Sequence, residues 1–93
     1  MLDGEELIRA IADAYRWQRR LGHRVIETEW CGIVADPAHP DLWDANHADN
    51  VTADTNAAID SVLATMDRRL AHSPWRVVHT DAFTPEPFLA RLA

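Results

Sequence analysis

Ninety-three residues suit one small domain, 1–93, which buries only about 60–65% of its unfolded surface and has a thin stability margin. The net charge of −6, from 9 basic and 15 acidic residues, disfavours nucleic acid, because phosphate neutralisation needs clustered cations. An apolar fraction of 47% with 26% charged residues argues against disorder. No apolar run approaches a membrane span. The single cysteine, Cys31, rules out an internal disulfide and fits a reduced, cytoplasmic setting. No signal peptide is expected, since the start is acidic at Asp3, Glu5 and Glu6.

Residues 3–21 read as a helix. Asp3 is placed to cap it, with Glu6 three residues on. Leu7, Ile8, Ile11, Ala14 and Tyr15 form one apolar stripe. Arg19 and Arg20 in the last turn complement the dipole, and Gly22 follows as a left-handed stop. Residues 24–34 read as extended, with a bulge or the start of a second strand at Cys31-Gly32. Asp36-Pro37 ends that run. Residues 37–50 read as a connector without helical or strand period.

Residues 52–71 read as a second amphipathic helix. Ile59, Val62, Leu63, Met66 and Leu70 repeat at helical spacing, and Thr52, Asp54 and Thr55 are candidate caps. Ser73-Pro74 closes it. Residues 75–81 read as a short strand. Thr84-Pro85-Glu86 then opens a third helix carrying Phe88, Leu89 and Leu92. The expected fold class is α+β, in the order helix-strand-loop-helix-strand-helix, with helices on a small sheet. Two strands make a poor independent sheet, so completion by a homo-oligomer or by a missing C-terminal half is expected.

The connector carries the most informative stretch, Leu42-Trp43-Asp44-Ala45-Asn46-His47. A tryptophan in a connector is expected to be buried and to anchor the loop, with Asp44 or Asn46 bonding to main chain. His39, Asp41, Asp44 and His47 bring metal-ligand types together, but their spacing fits no zinc template, so no metal is expected. His79, sharing a strand face with Trp75 and Val77, is expected to be a core or groove histidine. Cys31 has no neighbouring cation in sequence to activate it.

The run WCGIVADPAHPDLWDANHADNV, the amphipathic helix after it and the later WRVVHTD resemble the N-terminal part of bacterial, actinobacterial-type GCN5-related N-acetyltransferases (GNAT). The resemblance covers residues 30–93. It implies a partial GNAT-like domain on the acceptor-substrate side, with Trp43, Asp44, Asn46 and His47 as the positions matching the family's WDAN signature and possible substrate contacts. A complete member uses acetyl-CoA, held by a Gln/Arg-x-x-Gly-x-Gly/Ala turn opening a helix. This chain has only Gly4, Gly22 and Gly32, none in that spacing. No cofactor-binding or catalytic residue is therefore assigned, and enzymatic activity is not expected of these residues alone. The alternatives are a non-enzymatic, self-associating interaction module and a small ligand-binding domain with the Trp43 loop as its lid.

Overall fold

The computed structural model describes residues 3–93. Its fold is α+β: three helices and a three-stranded antiparallel sheet. Helix α1 spans Gly4–Arg20, and the Asp3 carboxylate caps it by accepting the Glu6 N–H at 2.8 Å. Gly22, at φ 80°, takes the left-handed conformation that ends the helix cheaply.

The extended run is a hairpin rather than one strand. Strand β1 (Val25–Glu27) pairs with β2 (Gly32–Val34), Ile26 opposite Ile33. Thr28 makes the turn. Its N–H and hydroxyl both donate to the Cys31 carbonyl, and its oxygen accepts the Cys31 N–H.

The expected connector also ends in a strand. β3 (His47–Asp49) pairs antiparallel with β2, Ala48 opposite Ile33. On its other side Ala48 bridges in parallel to Val78: its N–H donates to the Val77 carbonyl, and its own carbonyl accepts the His79 N–H. β3 is thus an interior strand, buried throughout. Of the strand expected at 75–81, only this bridge forms. Asn50, at φ 49°, turns the chain out of β3; asparagine tolerates that conformation better than most side chains.

Helix α2 (Asn56–Arg69) is capped by Thr55, which accepts the Ala58 N–H. It buries Ala58, Ile59, Val62 and Met66. With Leu70, Ile33, Ala48, Val51 and Phe88 these form the core. Full burial of one such side chain contributes about 1.5–3 kcal/mol. Arg76 closes the helix, its guanidinium donating to the Leu70, Ser73 and Trp75 carbonyls and pairing with Asp67.

Helix α3 (Glu86–Leu92) starts after Pro85 without a side-chain cap, because Thr84 instead accepts the Asp81 N–H. Phe88 is fully buried, so this helix joins the core of its own chain. Arg91 ties it to Asp60 and Asn56 on α2. None of the helices among the described residues is long and apolar enough to cross a membrane.

Candidate functional site

The Trp43–His47 stretch divides into an inner and an outer half. Asn46, 1% exposed, is the knot of the loop. Its amide donates to the His39 and Leu42 carbonyls, at 2.7 and 3.1 Å, and its oxygen accepts the Asp36 N–H at 2.9 Å and meets His72 Nε2 at 2.5 Å. This bears out the expected bonding of Asn46 to main chain, and it makes the side chain a scaffold with no capacity left for a ligand. Asp36, bonded first by His39, sits below the ordinary carboxylate pKa.

Trp43 corrects the expectation of a buried anchor: it is 61% exposed. The turn that Asn46 organises does the anchoring, which leaves the indole free to lie across Trp75, itself 48% exposed, edge to face with centroids 6.2 Å apart. Asp44 beside it is open to solvent, its Oδ1 3.8 Å from His79 Nε2. Leu42 is also exposed.

His47 faces the opposite way and is completely buried. Neither ring nitrogen has a hydrogen-bond partner among the described residues. The nearest carboxylate oxygen, Asp49 Oδ2, is 3.5 Å from Nε2, too long for a strong hydrogen bond. The parallel bridge brings His79 against it, ring edge on ring face with centroids 4.4 Å apart. Burial, then the His47 and Arg19 charges, lowers the His79 pKa from its ordinary 6.5, against the opposing pull of Asp44 and Asp49. Burial thus favours the uncharged form of the His79 ring.

Behind this pair lies an ion pair that the sequence did not announce. Arg20 grips Asp49 through two bonds, Nε–Oδ2 at 2.9 Å and Nη2–Oδ1 at 2.5 Å, and reaches Glu27 with its third nitrogen. Burial works against the Asp49 charge, but Arg20 outweighs it, followed by His47, and holds the pKa down to about 2. Arg20 had the marks of a helix-end cation only. No local signal links it to a residue 29 positions on.

A cleft of about 200 Å³ opens on the other side of His79. Ile8, Ile11 and Tyr15 of α1 form one wall; Asp49, Asn50 and the segment from His79 to Ala82 form the other. Trp43 and Asp44 stand exposed near His79, while Asn46 and His47 are buried. Cys31 is buried, and that burial raises its thiol pKa. Among the described residues no three histidine, cysteine or carboxylate side chains are grouped to hold a metal ion. No protein-family model, curated protein or solved structure matches this chain.

Proposed function

We propose that this chain is a GNAT-like acetyltransferase N-terminal module that contributes the acceptor-substrate side of the site, in a cytoplasmic setting. The observation that carries the reading is the corner formed by Trp43, Trp75, Asp44 and His79. Two half-exposed indoles beside an open carboxylate are suited to a primary ammonium group, through charge and through the aromatic faces. The net charge of −6 favours the approach of such a cation.

Acetyl-CoA does not fit the residues present. The one glycine that opens a helix, Gly4, is surrounded by Asp3, Glu5 and Glu6, which would repel a pyrophosphate. The role of this chain is therefore confined to holding the acceptor.

The test is a titration of the protein with butylamine, with 1-butanol as the uncharged control. Tryptophan fluorescence and the His79 ring resonances are followed. A saturable response to the amine is expected, absent for the alcohol and lost in Asp44→Asn. No saturable response, or an equal one in the variant, would overturn the reading. The alternative is a non-enzymatic and self-associating interaction module, and the observation behind it is the exposure of Leu7, Trp17 and Leu21.

A further inference from the structure

Helix α1 and the segment from His79 to Phe83 lie side by side and run in opposite directions. Arg9 covers the Phe83 ring at 3.6 Å at one end. At the other end Arg19 is near enough to His79 for its charge to lower the pKa of that ring. The cleft of about 200 Å³ lies between the two. Its apolar wall is Ile8, Ile11 and Tyr15, one row at helical spacing. Four charged side chains line it: Arg16, Arg19, Asp49 and Asp81. Two of them are committed to the fold. Arg20 holds both oxygens of Asp49, and Arg16 donates to Asp13 and Asn50. Arg19 and Asp81 remain, and among the described residues neither forms an ion pair. Arg19 lies over the Tyr15 ring, 5.6 Å from its centroid. Asp81 is held in its turn through Oδ1, which accepts the Phe83 N–H at 2.8 Å. A guanidinium on one wall and a carboxylate on the other thus flank an apolar row.

We infer that this cleft binds a free α-amino acid with an apolar side chain. Its carboxylate pairs with Arg19, its ammonium with Asp81, and its side chain lies against Ile8 and Ile11. The charges select this class of ligand. A simple organic anion would meet Asp81 as well as Arg19, and the net charge of −6 opposes its approach. A simple amine would leave Arg19 unanswered and sit near its like charge. A peptide terminus carries one of the two charges, not both on one carbon. A zwitterion is neutral overall and answers both walls, and the guanidinium fork is shaped for a carboxylate. The volume agrees, since about 200 Å³ falls below the roughly 300 Å³ at which pockets for drug-sized molecules begin. With lining residues about half exposed, binding is expected to be weak, with a dissociation constant in the high-micromolar to millimolar range. The site is separate from the amine corner proposed above: Trp43, Asp44 and Trp75 do not line the cleft. It does not depend on the acetyltransferase reading, and failure of butylamine to bind at that corner would leave it standing.

The test is an NMR titration of the full chain with L-leucine, following the Ile8 and Ile11 methyl groups and the Tyr15 ring. Two analogues each lack one charge: 4-methylpentanoate has no ammonium, and 3-methylbutylamine has no carboxylate. A saturable shift with L-leucine is expected, and each analogue should bind at least about fivefold more weakly. Arg19→Gln should reduce L-leucine to the affinity of the amine, and Asp81→Asn to that of the acid. Asparagine keeps the oxygen that accepts the Phe83 N–H, so the second variant removes charge without removing the turn, and circular dichroism should be unchanged in both. Asp44→Asn, which alters the amine corner, should leave L-leucine binding as it was. The absence of a saturable shift would overturn the inference. So would an analogue that binds as tightly as L-leucine, or L-leucine binding that survives both charge-removing variants undiminished.

Discussion

A β-carbon at position 32 would meet the Arg20 guanidinium and, at 2.6 Å, the Asp49 carboxylate. The glycine in β2 is there because the ion pair crosses the strand at that point. Gly32→Ala should therefore push Arg20 or Asp49 out of register and cost about 1–3 kcal/mol in a urea melt. The same pair sets an acid limit on stability. Asp49 has its pKa at about 2 in the folded chain against an ordinary 3.8. A folded value below the unfolded one means that stabilisation is complete above about pH 4 and is lost as the pH falls toward 2. The amount is about 2 kcal/mol. Urea melts of the wild type and Asp49→Asn should differ most near neutrality and converge toward pH 2. A difference that stays constant through that window would mean that the pairing contributes nothing through the carboxylate charge.

At the scale of elements, the Trp43–His47 loop shows that prominence in sequence and structural weight are separate things. Asn46 carries the loop, so Asn46→Ala should cost about 2–3 kcal/mol by leaving the Asp36 N–H and two carbonyls without their partner. Trp43 contributes an exposed edge contact to Trp75. Trp43→Ala should therefore stay within about 1 kcal/mol, well below the roughly 3–5 kcal/mol of an emptied core site. Chemical denaturation of the two variants checks the order. A larger loss at Trp43 than at Asn46 would place the anchor back on the indole and remove it as a candidate ligand contact.

For the molecule as a whole, the body is closed by α2, α3 and the sheet, while α1 is tethered to it by arginines and leaves its apolar residues exposed, Ile8, Ile11 and Tyr15 of them along the cleft. Phe88 of the third helix lies in the core. Exposed apolar side chains lie along α1, in the Trp43 loop with Trp75, and at Leu92. The charge distribution also argues against a phosphate cofactor here, since the long helix begins among acidic side chains. Titration calorimetry of the chain with CoA should show no saturable heat. Saturable binding at micromolar CoA would reveal a pyrophosphate site in a setting that lacks the Gly-rich turn.

Local pattern was enough for what local energetics decide. The Asp3 cap, the Gly22 stop, and the Ile59, Val62, Met66 and Leu70 stripe are written in spacings shorter than a helix turn or two, and each forms as its residues demand. The α+β class followed from these. β3 was not legible, because His47-Ala48-Asp49 has no strand propensity and becomes a strand only when β2 on one side and Val78 on the other satisfy its backbone. The pairing of Arg20 with Asp49 and of His47 with His79 joins residues about thirty positions apart, and no short-range signal encodes that. The direction of the α1 stripe was undetermined for a related reason. Periodicity establishes that a helix has an apolar side, but which side meets the body depends on the partners waiting there, and here those are Phe83, Asn50 and Asp49, which take arginines.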